Sequence, residues 1–339
     1  MNLEAKNHLI PKRILICGLG SIGRRHARVL HQSWPGIELA ALRSGHGTDS
    51  TELALMSQQF YDFNAALAWE PDAAVIASPA PFHQQQAVLL VRQGVPILIE
   101  KPVGVGSEPR EAWVELLQHS RSTPIVIGYV LRHDPCAAYV KERLDSQELG
   151  KVLDADFYCG SWLPEWRPGF NYRESVSSRR TMGGGVLLEL SHEIDLASWF
   201  LGKFEITFAS LRQSGILDVD VEDQALLVGR GPECPLITIR LNFCSRPPRR
   251  RVVIRCEKGE INWNLLEGEV STLIHHQEAQ MFKSAFDGDE RYRLQAEHFI
   301  ACVCKGKAPH CSLHEGLQVL ELINQARAKA ISQGITLGV

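Results

Sequence analysis

A lysine stands directly after an apolar run that is typical of a buried strand. Residues 97–104 are ILIEKPVG, so Lys101 follows three apolar residues and Glu100. Lysines are rare at buried positions. At the mouth of a strand, an ammonium group could exchange a proton with a substrate hydroxyl, which is the chemistry of a general acid or base. A lysine that reaches solvent and pairs with Glu100 is the alternative.

A histidine in a helical segment is the second candidate for proton transfer. His192 lies three residues from both Glu189 and Asp195, and helical residues three apart share a face. A carboxylate at that distance could determine the tautomer of the imidazole. A core histidine with satisfied hydrogen bonds is the alternative.

A glycine-rich turn indicates a phosphate site. Gly18, Gly20 and Gly23 form GxGxxG between the apolar RILIC and the helical ARVLHQ. In this pattern the first glycine permits a tight turn, the second lets a pyrophosphate approach the backbone, and the third lets helix and strand pack closely. A plain glycine turn is the alternative, and the strand–helix units that follow favour a dinucleotide site.

The end of the second predicted strand bears on which dinucleotide binds. An acidic residue there usually binds the ribose hydroxyls, whereas this strand ends in Arg43 and Ser44, with no carboxylate before Asp49. A guanidinium beside a hydroxyl suits a 2′-phosphate. We therefore expect NADP(H) or NAD(H), with NADP(H) slightly favoured; an arginine that only stacks on adenine would leave both possible.

Alternating apolar and helical segments must position these residues. In the first 130 residues, the candidate strands are 13–18, 37–42, 73–78, 95–100 and 124–129. This alternation predicts βαβ units around a parallel sheet, which binds ligands at the carboxyl ends of its strands.

The pattern changes after Tyr129. Segments 236–243 and 251–265 alternate with period two, which predicts antiparallel strands. Segments 186–201, 294–305 and 312 to about 333 are helical, the last starting with a capping box of Ser312 and Glu315. The run 249–251 is predicted to be a solvated hairpin loop.

The predicted fold class is therefore α/β. We expect an N-terminal Rossmann domain over 1–128, with a doubly wound parallel sheet. An α+β domain over 129–339, with a large, mostly antiparallel sheet, would serve substrate binding and oligomerisation, and its last helix could pack back on the Rossmann domain.

Composition limits the other classes of function. The 339 residues are 45% hydrophobic and carry a net charge of -3, which gives no electrostatic footprint for nucleic acid. No apolar run approaches the roughly 20 residues of a membrane span, and the first residues lack the apolar core of a secretion signal. Nine scattered cysteines without a CxxC pair indicate reduced thiols. We expect a cytoplasmic protein without a membrane segment or a metal site.

Five segments can be compared with known motifs. They are GLGSIGRRH (18–26), SPAPFHQQQA (78–87), EKPVG (100–104), GYVLRHDP (128–135) and GGGVLLELSHEIDLASWFLG (183–202). In order and spacing, they resemble the motifs of the glucose-fructose oxidoreductase, inositol dehydrogenase and MocA (Gfo/Idh/MocA) family. The resemblance implies hydride transfer between a nicotinamide and a carbon that bears a hydroxyl or carbonyl, on a sugar, inositol or related polyol. It also implies a homodimer or homotetramer.

The resemblance implies roles for individual residues. Lys101 and His192 would act at the reacting oxygen. Many members carry an aspartate four residues before this histidine, whereas here position 188 is leucine and the nearest acid is Glu189. Asp195 is the alternative partner for His192. The predicted cofactor set comprises Gly18, Gly20, Ser21, Ile22, Gly23, Arg43, Ser44, Ser78, Pro79, His83, Glu100 and Lys101.

A loop dense in aromatic residues and arginines is the predicted substrate-selecting segment. Within 161–180, tryptophans could stack on a sugar ring and arginines could hold a phosphate or carboxylate. Packing against a neighbouring subunit is the alternative. The segment also looks like family members of bacterial surface-sugar and nonulosonic acid biosynthesis, which suggests an amino-sugar or nucleotide-sugar substrate. The predicted substrate set comprises Arg132, Trp162, Trp166, Arg167, Tyr172 and Arg179.

Two other functions stay open. An NAD-dependent glycosidase of the same fold would oxidise its substrate transiently, without net NADH formation. A cofactor-binding accessory protein would not turn over at all. The presence of both Lys101 and His192 favours an enzyme.

Overall fold

The computed structural model describes residues 10–45, 50–284 and 288–332. The chain divides into two compact units. The first contains the described parts of 1–130 and 287–317, and the second those of 131–286 and 318–339. Asp49 and Gln333 lie outside the described residues.

The first unit is built on a parallel sheet of six strands. They are β1 (Arg13–Cys17), β2 (Glu38–Leu42), β3 (Met56–Phe60), β4 (Ala73–Ile76), β5 (Ile97–Glu100) and β6 (Ile125–Gly128), in the order β3-β2-β1-β4-β5-β6. Every neighbouring pair is parallel. The predicted doubly wound sheet is confirmed, and β3 is an additional strand that the apolar pattern missed.

Helices cover the apolar strands of this sheet. They are α1 (Ser21–Ser33), α2 (Phe63–Ala68), α3 (His83–Arg92) and α4 (Arg110–His119). The residues of β4 and β5 are all buried, as expected where a parallel sheet is covered on both faces. Each fully buried branched side chain stabilises the fold by about 1.5–3 kcal/mol. Burial of β4 and β5 therefore fixes the positions of the residues that follow their carboxyl ends.

The second unit is built on a sheet of eight strands. They are β7 (Val152–Trp162), β8 (Glu205–Arg212), β9 (Gln224–Arg230), β10 (Ile237–Asn242), β11 (Cys244–Cys256), β12 (Gly259–Asn264), β13 (Glu269–Ile274) and β14 (Gln280–Lys283). Their order is β14-β13-β12-β11-β7-β10-β9-β8. Among the described strands of this second sheet, only the pair of β7 and β10 is parallel, so the mostly antiparallel sheet is confirmed.

The second unit contains α5 (Pro135–Asp145), α6 (Val186–Glu189) and α7 (His192–Leu201). The prediction of one helix over 186–201 was wrong, because the chain turns at Leu190 and Ser191. Leu190 adopts φ -101° and ψ 27°, outside the helical region. No glycine or proline marks this turn. The apolar pattern therefore continues across it and predicted a single helix.

The arginine run 249–251 was also assigned wrongly. It lies inside β11, where Arg250 is paired with Cys159 and Arg251 with Tyr158 of β7. Two prolines precede the run, and the ladder is irregular between Cys244 and Arg249, which is where a strand tolerates proline.

Two C-terminal helices complete the fold, α8 (Gly288–Lys305) and α9 (Leu313–Ser332). Phe299 and Val303 of α8 join the core of the first unit with Leu30 of α1. The predicted capping box is confirmed: Glu315 Oε2 accepts from Ser312 N at 2.9 Å, and Ser312 Oγ accepts from Glu315 N at 3.3 Å. Among the described helices, none combines the length and hydropathy needed to cross a bilayer.

Candidate active site

The glycine turn after β1 has the shape that the sequence motif predicts. Gly18 has φ +92°, and a Cβ there would lie 2.7 Å from the backbone of Ser78. A Cβ on Gly23 would lie 2.0 Å from the carbonyl oxygen of Gly18. Both positions therefore require glycine, because no side chain fits between β1, α1 and the end of β4.

Gly20 differs from its two neighbours in the motif. A Cβ on Gly20 would meet nothing within 4 Å, and Gly20 is the N-cap of α1 without a side-chain cap. Ser21 is exposed and Ile22 half-buried at the start of the helix. The bare backbone and the helix N-terminus form a cradle that fits a pyrophosphate.

Arg43 and Ser44 follow the end of β2. The Arg43 Nη1 donates to Gln59 Oε1 at 2.9 Å, and its backbone N donates to the Phe60 carbonyl at 2.8 Å. Ser44 is exposed. The guanidinium thus stands at the carboxyl end of the sheet, where an adenosine ribose would lie in a dinucleotide site.

The end of β4 contributes Ser78, Pro79 and His83. Ser78 Oγ donates to Gln86 Oε1 at 2.8 Å, and Pro79 precedes a single 3₁₀ turn. His83 is 1% exposed, and its two ring nitrogens lie 2.7 Å from the Ser78 carbonyl and 2.9 Å from the Pro102 carbonyl. Burial lowers the pKa of His83, against the opposing effect of the two carbonyls.

Lys101 is the first residue beyond β5 and is half-buried. Glu100 before it is 4% exposed, and the peptide bond from Lys101 to Pro102 is cis. Because β1, β2, β4 and β5 are parallel, their carboxyl ends share one edge of the sheet. That edge gathers the glycine turn, Arg43, Ser78 and Lys101, which is the ligand-binding edge of a doubly wound sheet.

In the second unit, His192 is the first residue of α7 and is half-buried, while Glu189 is the last residue of α6. The two therefore lie on either side of the turn rather than on one continuous helical face. Gly185 precedes α6 with φ +104°, and a Cβ there would lie 2.4 Å from Glu222 Oε1, so the glycine-rich entry to this turn is sterically required.

Asp195 is bound by Arg132. Arg132 Nη2 donates to Asp195 Oδ1 at 2.7 Å, with side chains 2% and 0% exposed. The guanidinium also lies 5.5 Å from the centre of the Trp199 ring. Both residues were predicted to serve the site, Arg132 as a substrate contact and Asp195 as the partner of His192. The structure joins them to each other, and those two roles stay predictions.

A second ion pair on α7, between the buried Glu193 and the half-buried Arg250, was not found from the sequence. Glu193 is 1% exposed, and its Oε1 accepts from Arg250 Nε at 2.5 Å. Burial lowers the pKa of Arg250, but Glu193, with smaller effects of Cys159 and Asp134, raises it by more, so the net pKa is raised. The only signal was the alternation within 249–251, which places Arg250 on one face of β11 and its neighbours on the other.

The loop 161–180 brings some of the predicted substrate residues together. Trp166, Arg167 and Tyr172 line one shallow depression with Phe170. Trp166 is held there, because its Nε1 donates to Ser161 Oγ at 2.7 Å and its ring packs edge-on against Phe243.

The remaining loop residues lie elsewhere. Arg246 stacks over the Trp162 ring at 4.1 Å, and Arg179 Nε donates to the Arg173 carbonyl at 2.7 Å. Neither Trp162 nor Arg179 lines the depression. Across the described residues, no cluster of three or more histidine, cysteine or acidic side chains is arranged to hold a metal ion.

Two family models match this chain. The model of the oxidoreductase family with an NAD-binding Rossmann fold, Gfo/Idh/MocA, matches residues 12–129. The model of the Gfo/Idh/MocA C-terminal domain matches residues 137–262. Together they cover most of both units.

Two curated relatives align with this chain at 25% and 29% identity. The scyllo-inositol 2-dehydrogenase (NAD(+)) of Bacillus subtilis is 25% identical over 319 residues, 88% of this chain and 87% of that protein. Inositol 2-dehydrogenase 2 of Saccharopolyspora erythraea is 29% identical over 223 residues, 63% of this chain. That alignment spans 61% of the relative, so less than two thirds of its length is matched.

Solved structures share the fold. Levoglucosan dehydrogenase in complex with NADH and levoglucosan superposes with a TM-score of 0.81 at 16% identity, covering 95% of this chain and 97% of that one. UDP-N-acetylglucosamine 3-dehydrogenase from Acidithiobacillus ferrooxidans superposes with a TM-score of 0.75 at 19% identity, covering 95% and 98%.

Proposed function

Because the chain belongs to the Gfo/Idh/MocA family of NAD-binding oxidoreductases, we propose that it is a dehydrogenase or reductase acting on CH–OH groups. It transfers a hydride between a nicotinamide cofactor and a carbon of a sugar, inositol or nucleotide sugar. One observation carries the proposal: Lys101 leaves β5 at the same sheet edge as the glycine turn, so a proton-transfer group and a dinucleotide cradle belong to one site.

The glycine turn and the neighbouring strand ends hold the cofactor. Gly18 and Gly23 keep α1 close to β1, and Gly20 leaves its backbone open to the pyrophosphate. When bound, the nicotinamide supplies the hydride acceptor or donor. Ser78, Pro79 and His83 form the next strand end, towards the nicotinamide.

The adenosine end decides the cofactor type. Arg43 and Ser44 favour NADP(H), since a guanidinium and a hydroxyl suit a 2′-phosphate. The B. subtilis relative is named for NAD(+), and the levoglucosan dehydrogenase structure holds NADH. We therefore keep both cofactors within the proposal, with NADP(H) slightly favoured.

Lys101 handles the proton that accompanies the hydride. When an alcohol carbon loses its hydride, the oxygen must lose its proton, and an acid/base at that oxygen is worth about 10²–10⁴-fold in rate. Lys101 is the first candidate for this role and His192 the second. Glu189 and Asp195 are the carboxylates proposed to serve His192, Asp195 while it also holds Arg132.

The substrate class rests on the relatives and on the loop depression. The relatives act, by their names, on inositols, levoglucosan and a UDP-linked amino sugar. In this chain, Trp166, Arg167 and Tyr172 combine aromatic rings with a guanidinium, which suits a sugar ring and a phosphate or carboxylate. Arg132, Trp162 and Arg179 complete the proposed substrate set.

A turnover screen tests this function. The protein is mixed with NAD+ or NADP+ and with myo-inositol, scyllo-inositol, levoglucosan or UDP-N-acetylglucosamine, and the nicotinamide absorbance is followed. Net cofactor reduction with at least one compound is expected. Product without net reduction would indicate the NAD-dependent glycosidase, and cofactor binding without turnover would indicate an accessory protein.

The assembly and location are part of the proposal. We expect a homodimer or homotetramer, which light scattering measures directly. A cytoplasmic location fits the nine cysteines, which are all free thiols in the structure, because reducing compartments keep thiols in that state.

A further inference from the structure

Two buried histidines flank the segment that carries Lys101. His26 lies on α1 and His83 begins α3, and each is 1% exposed. Buried polar groups are costly unless they are hydrogen-bonded. The partners of the two imidazoles therefore indicate which parts of the first unit they hold together.

His26 binds the carboxylate of Glu100. Its Nε2 lies 2.7 Å from Glu100 Oε1, and the two side chains are 1% and 6% exposed. A carboxylate oxygen accepts, so the imidazole donates from Nε2. Hydrogen bonds to a carboxylate are shorter and stronger than neutral ones, so this contact fixes the Glu100 side chain against α1.

The other oxygen of Glu100 holds the peptide of Lys101. Lys101 N donates to Glu100 Oε2 at 3.2 Å. Glu100 pairs with Gly128 of β6, and a Cβ on Gly128 would lie only 3.1 Å from Glu100 Cδ. The carboxylate therefore packs closely against Gly128, and it links α1 to the point at which the chain leaves β5.

His83 holds the other side of the same segment. Its Nδ1 lies 2.9 Å from the carbonyl oxygen of Pro102, and its Nε2 lies 2.7 Å from that of Ser78. Both carbonyls only accept, so a neutral ring donates to one of them at a time. Lys101 thus lies between two residues that are each tied to a buried histidine.

The C-terminal helix α8 limits the movement of His26. The Tyr292 ring packs edge-on against the imidazole, with ring centres 5.5 Å apart and planes at 82°. Arg25 in turn covers the Tyr292 ring at 5.0 Å. The imidazole is therefore enclosed by α1, β5 and α8, which restricts it to the orientation that binds Glu100.

We propose that His26 is a positioning residue which, through Glu100, fixes the direction in which Lys101 leaves β5. The inference rests on the proposed role of Lys101 at the reacting oxygen. A displacement of about 1 Å in a reacting group costs on the order of 100-fold in rate. His26 thereby contributes to turnover from a position that is 1% exposed.

Three variants test this role in the intact chain, with the compound that gives the highest rate in the turnover screen. His26→Leu removes the donor to Glu100 and should lower kcat by about 100-fold, with KM and the cofactor Kd nearly unchanged. His26→Gln keeps an amide donor at a similar reach and should restore most of kcat. His31→Gln, at an exposed position of the same helix, is the control and should behave as the unaltered protein.

A second readout needs no substrate. Reductive methylation with ¹³C-formaldehyde labels lysines, and the Lys101 signal is assigned by its loss in Lys101→Arg. With NAD+ bound, that signal should shift in His26→Leu and stay in place in His26→Gln. If His26→Leu does not fold, His26→Asn replaces it, because the shorter amide cannot reach Glu100.

Unchanged kcat together with an unchanged Lys101 signal in folded His26→Leu or His26→Asn would overturn the inference. So would equal loss in the Gln and Asn variants. Failure of the proposed function has a different signature: turnover would then survive Lys101→Ala itself, whatever the His26 variants do.

Discussion

Arg132 and Asp195 form a fully buried ion pair in the second unit. Arg132 Nη2 lies 2.7 Å from Asp195 Oδ1, and Arg132 Nε lies 3.1 and 3.2 Å from the two carboxylate oxygens. Asp195 belongs to α7, the helix that begins with His192. The pair therefore anchors the histidine helix to the segment that follows β6.

Removing the arginine should destabilise the second unit. Arg132→Met leaves Asp195 as an uncompensated buried charge, which typically costs 3–5 kcal/mol, so we expect a loss of about that size in the free energy of unfolding. Urea unfolding measures it. Arg230→Met is the matched control, since the Arg230–Glu205 pair is 69% and 59% exposed and such pairs contribute about 0–1 kcal/mol. Equal losses in both variants would contradict the anchoring role.

Substitutions at two glycines of the motif should affect different properties, cofactor affinity at Gly20 and thermal stability at Gly23. Gly20→Ala adds a methyl group with no protein atom within 4 Å, so the Tm should stay the same. NAD(P)H binding should weaken about tenfold, or ~1.4 kcal/mol, because the methyl group occupies the approach of the pyrophosphate. Gly23→Ala should lower the Tm, since its Cβ would lie 2.0 Å from the Gly18 carbonyl.

The control for the glycine variants is Gly36→Ala, at a position that is also open within 4 Å but remote from the motif. It should change neither the Tm nor the Kd from fluorescence quenching. Unaltered cofactor affinity in Gly20→Ala would contradict the prediction that the pyrophosphate binds at this turn.

Arg43 should set the cofactor preference. Arg43→Ala removes the guanidinium at the end of β2, so NADPH binding should weaken by about tenfold, or ~1.4 kcal/mol, with NADH binding little changed. Titrations with both reduced cofactors measure the two Kd values. Tighter NADH binding by the unaltered protein, or equal losses for both cofactors, would argue against recognition of a 2′-phosphate.

His298 should make stability depend on pH. Its Nε2 accepts from the backbone N of His310 at 2.9 Å, and the side chain is buried. Burial, with His310 and Lys307 nearby, lowers the pKa of His298 to about 4 from 6.5. The unfolded chain therefore binds a proton at higher pH than the folded one, so stability is lost as the pH falls from 6.5 towards 4.

The expected loss between pH 7 and pH 5 is about 2 kcal/mol from His298. Urea unfolding of the unaltered protein and of His298→Gln at both pH values isolates this contribution, because the other groups cancel. His31→Gln, at an exposed site, serves as the control. An unchanged pH dependence in His298→Gln would show that His298 ionises normally in the folded state.

Local signals explain which parts of the fold were predictable. The apolar runs of β1 and β5 and the capping box at Ser312 are short-range patterns, and each was found in the structure. The strand β3, MSQQF, was missed because its side chains are half-buried or exposed, so no apolar run marks it. The turn at Ser191 was missed for the opposite reason, since apolar residues continue across it.

The site was predictable to the extent that motifs describe it. GxGxxG and EKP identified the strand ends, but the contacts that hold them are long-range. His26 is 74 residues from Glu100, and Glu193 is 57 residues from Arg250. Neither spacing has a period or a motif, so only the folded chain reveals these partners.

The most direct test of the account is the turnover of Lys101→Ala. The substrate is the compound of the turnover screen that the unaltered protein uses best. With it, kcat should fall by at least about 100-fold, the usual scale for loss of a positioned acid/base. The Kd for NAD(P)H should stay nearly the same. Glu115→Ala, at a half-buried position of α4 in an ion pair with Arg92, should keep full activity. Near-normal turnover of Lys101→Ala would contradict the proposed catalytic role.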